Sequence, residues 1–424
     1  MAVTGRPRLS QVTDTYLGPS IDEIEQAREV VGAVAHVTPL EVSGFLGDVL
    51  GAPVYLKAEN LQRTGAYKIR GAYYRLSRLS PEERERGVVA ASAGNHAQGV
   101  ALAAQQLGIA ATIFMPRGVA LPKLQATRGY GADAVLHGPT FTETLEGAIE
   151  FAAATGAVFI PPYDHEDIIT GQATLGLEIL DQLPAAQTII VPIGGGGLAS
   201  GVARAAKLRA EAEGRSIRII GVQAENAASF PPSLAAGEPV TKPLEPTIAD
   251  GIAVARPGDL TFPIIQAYVD EVVTVTDDDL ARALLVLLER AKLVAEPAGA
   301  ASVAAILAGK IAPAGPTVAI VSGGNIDPLL MQRVIAHGLE ASDRYLTLRI
   351  MLPDRPGQLA TIADTLAEAN ANVIEVMHTR HHSGLQISQV ALDISVETRG
   401  SEHRASVIRH LREVGYDPKV VIVD

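Results

Sequence analysis

Three unbroken apolar runs in this chain end directly in glycine-rich turns. They are "VVAASAGN" from Val88, "TIIVPIGGGG" from Thr188 and "TVAIVSGGN" from Thr317. A strand that is apolar at every position, not at alternate ones, has both faces covered. That is the environment of a parallel sheet flanked by helices. Helical stretches alternate with such runs: "NHAQGVALAAQQLG" is followed by the strand-like "IAATIFMP", "KLQATRGYGA" by "DAVLHG", and then comes the helical "FTETLEGAIEFAAATG". Further strand patterns recur at "TIIVPIGGGG", "IRIIGVQAE" and "TVAIVSGGN". Repeated β-α alternation predicts a doubly wound α/β architecture. Open sheets of this kind bind ligands at the carboxyl ends of their strands. The three turns are therefore the places to search for a site.

The pattern changes after about Asp343. "YLTLRIMLPDRPGQLATIADTLAEANANVIEV" and the rest of the chain alternate strand, helix, two strands, helix, strand. That β-α-β-β-α-β order is the ferredoxin-like split motif. A chain of 424 residues also exceeds what one core supports. We expect a first domain over 1–330 with a smaller inserted subdomain at about 86–163. A linker at 331–344, within "QRVIAHGLEASDR", leads to a second domain over 345–424.

Composition excludes several functions. The net charge of -12 disfavours nucleic acid and anionic membrane surfaces. With no cysteine there is no disulfide, thiolate metal site or cysteine nucleophile. No apolar run has the length of a bilayer span, and the start "MAVTGRPRLSQVTDTY" lacks a secretory apolar core. A cytoplasmic protein is expected.

The turns carry the chemistry. Gly194, Gly195, Gly196 and Gly197 follow an apolar strand and precede a helical stretch. Four glycines allow close backbone approach to an anion, and the helix start adds N–H donors and a positive dipole end. The spacing is neither that of a Walker loop nor that of a dinucleotide fold. In "SAGNHAQG", Ser92 and Asn95 can cap the next helix or hold a ligand, and both readings stand. "VSGGNID" sets Ser322 at a strand end and Asn325 behind two glycines. Upstream, Lys68 follows the Thr-Gly turn of "ENLQRTGAYKIRGAYY". A lysine, an anion cradle and hydroxyl and amide partners are the parts that pyridoxal phosphate needs.

The segments "YLKAENLQRTGAYKIRGA", "ASAGNHAQGVA", "PIGGGGLASG", "GVQAE", "AEPAGA" and "VSGGN" resemble, in order and spacing, the threonine/serine dehydratases of the fold-type II pyridoxal-phosphate enzymes. The resemblance covers about the first 330 residues. It implies a fold of two doubly wound α/β subdomains like the tryptophan synthase β chain. It implies pyridoxal 5'-phosphate as cofactor and β-elimination of threonine to 2-oxobutanoate and ammonia, with serine giving pyruvate. Lys68 would form the Schiff base and act at Cα, with Ser322 on the pyridine nitrogen and Asn95 facing O3'. Gly194, Gly195, Gly196, Gly197 and Leu198 would hold the phosphate. Ser92, Ala93, Gly94, Asn95 and His96 would line the substrate-carboxylate pocket. Where the family often reads Ser-Phe-Lys, this chain has Ala66-Tyr67-Lys68, one hydroxyl fewer.

Sibling activities on this fold are serine racemase, threonine synthase and β-replacement; a non-catalytic amino-acid sensor is the alternative outside catalysis. Related racemases carry a serine where this chain has Ala93, which speaks against racemisation. They also carry an acidic pair for a cation; here Glu225 stands without a nearby aspartate, and no metal is expected. "LPDRPGQLATIADTLAEANANVIEV" resembles an ACT domain, which implies an amino-acid effector, isoleucine or valine, near Gly357, Asn370 and Asn372. The family implies a homodimer or homotetramer, in isoleucine synthesis or in threonine breakdown. "HTRHH", with His378, His381 and His382, reads as a polar strand end and hairpin.

Overall fold

The computed structural model describes residues 16–341, 343–380 and 388–421. His381 and His382 lie outside the described residues. The chain divides into two compact units, Met1–Asp327 and Pro328–Asp424.

The first unit begins with strands β1 (Leu40–Val42) and β2 (Val54–Ala58). A block of four follows: β3 (Val88–Ala91), β4 (Ala111–Met115), β5 (Asp133–Leu136) and β6 (Val158–Phe159). Then come β7 (Thr188–Pro192), β8 (Arg218–Ala224), β9 (Glu271–Val275) and β10 (Thr317–Val321). The block forms its own sheet in the order β5-β4-β3-β6, with every pairing parallel. The others form a sheet in the order β1-β2-β10-β7-β8-β9. All of its pairings are parallel except β1 with β2. The small sheet is thus inserted in sequence between two strands of the large one.

β3, β7 and β10 are buried at every residue, because helices cover both faces. Ile189, Val191, Val318 and Ile320 centre the large core. Val88, Ala90 and Ile113 meet helix residues Val100 and Ala104 in the other. Each fully buried branched side chain contributes about 1.5–3 kcal/mol. Helix starts follow local signals: Thr140 accepts the N–H of Glu143, and Ser80 forms a capping box with Glu83 ahead of Pro81.

One cluster of charge is sealed inside this unit. Arg70 donates to both carboxylate oxygens of Glu59, 2.8 Å each, and its Nη2 is 3.0 Å from Glu178. Lys57 reaches the other Glu178 oxygen at 2.5 Å, the Thr38 carbonyl at 2.7 Å and Gln182 at 2.8 Å. Burial alone would favour a neutral Glu59. Arg70, with Thr38 and Lys57, outweighs it and holds the pKa below the ordinary carboxylate value. Two cations and two anions balance here, next to the helix Ile69–Ser77 that starts just after Lys68.

In the second unit the segment read as a bridge forms most of a helix, Pro328–Ala341. Four strands follow: β11 (Tyr345–Pro353), β12 (Val373–Thr379), β13 (Gln389–Glu397) and β14 (Lys419–Val420). They pair antiparallel in the order β12-β13-β11-β14, with helices Gln358–Glu368 and Ser401–Glu413. Its core includes Leu348, Ile350, Leu392 and Ile394 with Leu366 and Leu411.

Candidate active site

The helix Gly197–Ala212 starts five residues after β7 ends, and its N-cap, Gly196, has φ +107°. Only Gly196 needs glycine for its backbone angle. The other three have close neighbours where a Cβ would stand. A Cβ on Gly195 would fall 2.3 Å from Cζ of Tyr163, and one on Gly197 3.0 Å from the Tyr163 backbone. A Cβ on Gly194 would come 3.2 Å from Cα of Ile252. Thr261 Oγ1 donates to the Gly195 carbonyl at 2.6 Å. Leu198 is buried in the core of the large sheet.

Lys68 is the N-cap of the helix Ile69–Ser77. Its Nζ donates to the Pro162 carbonyl at 2.8 Å and lies 5.3 Å from the centre of the Tyr67 ring. Burial lowers its pKa to about 8, against the pull of Glu296. A nucleophilic amine must shed its proton, and this site makes that easier. Gly99 lets the helix Asn95–Leu107 approach closely: a Cβ there would sit 3.2 Å from the Lys68 carbonyl carbon.

The turn after β3 does not use its side chains as helix caps. Asn95 donates to Glu296, and its Oδ1 accepts from Asn325 at 2.8 Å. Asn325 also donates to the Thr64 carbonyl at 2.6 Å. Ser92 Oγ accepts the N–H of Gly94 at 3.1 Å, within the turn itself. Ala93 presents no titratable group. His96 donates from Nε2 to the Ile160 carbonyl at 2.9 Å. Burial, with Lys68 beside it, pushes its pKa down to about 3, so the ring is neutral.

The turn after β10 runs beside the lysine segment. The Tyr67 N–H donates to the Ser322 carbonyl at 3.2 Å, Ala66 pairs with Gly323, and the Gly324 N–H reaches the Gly65 carbonyl at 2.8 Å. Ser322 is buried. Lys68, Ser322 and Asn95 are thus gathered at one place, through Tyr67, Asn325 and Glu296.

Three participants escaped sequence reasoning. Glu296, the N-cap of Pro297–Leu307, is buried; burial and Asp250 raise its pKa to about 7, against Asn95, Lys123 and Lys68. Its signal was an acid set among small apolar residues in "AEPAGA". Pro162 and Tyr163 belong to the passage leaving the small sheet, and nothing local marks them. Residues 160–164 touch His96, Lys68, Gly195 and Gly197; Asp164 also accepts the N–H groups of Asp259, Leu260 and Thr261 at 2.9–3.2 Å.

Elsewhere, Glu225 is exposed, and its carbonyl accepts from Lys242. Among the described residues, no group of three or more His, Cys, Asp or Glu could hold a metal ion. None of their helices is long and apolar enough to cross a membrane. In the second unit Gly357 has φ +91° as N-cap of Gln358–Glu368, with open space where a Cβ would stand. Asn370, φ +56°, gives its carbonyl to Arg399, and Asn372 pairs with Glu397 through backbone and side chain. His378 is exposed on β12.

A partly neutral lysine amine, a backbone anion cradle and paired hydroxyl and amide groups suit a cofactor that is both an aldehyde and a phosphate ester. Residues 33–323 match the family model described as pyridoxal-phosphate dependent enzyme, and residues 346–415 match that of the ACT domain. The L-threonine ammonia-lyase of Thermotoga maritima is 46% identical over 403 residues, covering 95% of this chain and 99% of that protein. That of Geobacter sulfurreducens is 45% identical over 394 residues, covering 93% and 97%. Among solved structures, the processed form of threonine deaminase isoform 2 from Solanum lycopersicum aligns with TM-score 0.69 and 38% identity over 77% of this chain and 98% of that one. Maize serine racemase aligns with TM-score 0.71 and 36% identity over 77% and 99%. The chain belongs to the pyridoxal-phosphate dependent enzyme family, with fold type II architecture, and carries a C-terminal ACT domain.

Proposed function

We propose that this protein is an L-threonine ammonia-lyase that converts L-threonine to 2-oxobutanoate and ammonia, and L-serine to pyruvate. The observation that carries it is the buried Lys68 amine, with its pKa lowered to about 8, on a chain alike over nearly its whole length to proteins of that activity. Lys68 would hold the cofactor covalently, the N–H groups of Gly194, Gly195, Gly196, Gly197 and Leu198 its phosphate, Asn95 its O3' and Ser322 its ring nitrogen. When bound, pyridoxal phosphate supplies an electron sink beside the amino acid's Cα.

The chain's own residues do the rest. The turn containing Ser92, Ala93, Gly94, Asn95 and His96 holds the substrate carboxylate through backbone donors. Freed when the substrate's amine takes its place, the Lys68 amine would take the Cα proton and, as an ammonium, return it to the β-hydroxyl, which leaves as water. The released enamine hydrolyses to the 2-oxo acid and ammonia. Ala93 has no proton to deliver to the other face of Cα, so elimination is favoured over racemisation. Purified protein with L-threonine as sole substrate should release 2-oxobutanoate and ammonia in equal amounts. Accumulation of the D-amino acid, or no 2-oxo acid, would reject the reading.

The ACT domain serves as the regulatory part in the same proposal. An amino-acid effector, isoleucine or valine, would place its carboxylate at the start of the helix Gln358–Glu368, where Gly357 leaves open space. A coupling of about 1–3 kcal/mol would change apparent threonine affinity roughly 5- to 150-fold. Gly357→Asp, which adds negative charge there, should abolish the response to either effector in threonine titrations and leave turnover in their absence. An undiminished response would move the effector site elsewhere.

A further inference from the structure

Lys123 belongs to the small sheet's part of the molecule, on the first turn of the helix Leu121–Gly129. Its ammonium stands over the turn assigned above to the substrate carboxylate. Nζ lies 3.9 Å from where a Cβ on Gly94 would be, and among the described residues no other heavy atom beyond the local chain comes within 4 Å of that point. The space above Gly94 is therefore open apart from one positive charge. That charge is paired with Asp250 at 2.8 Å. Asp250 begins the turn Asp250–Ile252, beside Gly194, and its side chain is 61% exposed against 15% for Lys123. The cation is thus enclosed and its anion faces solvent, so the anion can be exchanged without burying a bare charge. Asp250, Glu296 and Asp327 all favour the protonated lysine, burial notwithstanding.

Resting on the proposed ammonia-lyase reading, we propose that Lys123 is the specificity-determining residue for the substrate's α-carboxylate. Asp250 is its counter-ion until the carboxylate of an amino acid arrives over Gly94. Backbone donors in the turn would accept a carboxylate and a carboxamide oxygen alike; an ammonium distinguishes them by charge.

The test compares L-threonine with L-threoninamide in the cofactor-loaded enzyme. Lys123→Gln should raise KM for threonine about 10- to 100-fold, the range for a hydrogen bond between charged groups, with a much smaller change in kcat. The preference in kcat/KM for threonine over the amide should narrow by a similar factor, and Lys123→Arg should restore it. Asp250→Asn, which frees the ammonium, should lower KM for threonine. If Lys123→Gln raises KM for both compounds equally, the lysine only ties the small sheet to the turn at 250–252, and the proposal falls. Should that variant fail to fold, an unchanged or higher KM in Asp250→Asn overturns it as well. Release of 2-oxobutanoate by the unaltered enzyme keeps either failure separate from that of the ammonia-lyase reading.

Discussion

Replacing Lys68 with alanine should reduce threonine turnover by more than about a thousandfold in a protein that stays folded. Loss of a general base alone typically costs 100- to 10,000-fold, and here the same amine would also anchor the cofactor. The structural loss is small: one donor to the Pro162 carbonyl, worth about 1–3 kcal/mol if that acceptor stays unpaired. Lys68→Arg should be as inactive, because a guanidinium keeps its charge and does not condense with an aldehyde. The lowered pKa adds a second measurement. Protein freed of cofactor should recapture pyridoxal phosphate faster as pH rises through about 8, because the neutral amine is the attacking form. Free lysine side chains would reach that point more than two pH units higher. Stopped-flow absorbance would follow it. Turnover by Lys68→Ala at a tenth of the parental rate would remove Lys68 from the chemistry.

Arg70→Met should produce the largest loss of stability among single changes outside the site. Arg70 is 2% exposed and makes two hydrogen bonds to Glu59. Removing it leaves Glu59, itself fully buried, with Thr38 as its remaining hydrogen-bond donor. Breaking a buried ion pair from one side costs about 3–5 kcal/mol. For a unit of this size that corresponds to a fall of about 4–7 °C in Tm. Arg70→Met with Glu59→Gln should recover part of it, since the stranded charge is then gone. Thermal unfolding of the cofactor-loaded protein measures both. A single variant within about 1 °C of the parent would show that the cluster is dispensable.

The strands that carry the turns were legible because their environment writes itself into every residue. "VVAA", "TIIVP" and "TVAIV" are apolar throughout and buried throughout. The α-β rhythm of the second unit was equally plain, each of its strands and helices being continuous in sequence. The antiparallel edge strand β1 was not seen, because three residues of "LEV" carry no usable period. The readings left open at Ser92 and Asn95 could not be closed locally either. Asn95 finds Glu296 across 201 positions of sequence, and that separation leaves no trace in "SAGNH". Glycines show a similar limit. The sequence displays four in a row, but one serves a backbone angle and three make room for Tyr163 and Ile252, which only the folded chain brings near.

The hydroxyl end of the Tyr163 ring rests where a side chain on Gly195 would have to go. Variation at these two positions is therefore ordered in time. A side chain at 195 would meet the end of the Tyr163 ring, so it is admitted only if that half-buried ring moves aside. A smaller residue at 163 opens the space first and makes a change at 195 admissible afterwards. A library that randomises 195 alone should return mostly glycine. One that randomises 163 and 195 together should return alanine or serine at 195 chiefly in clones that have lost the ring.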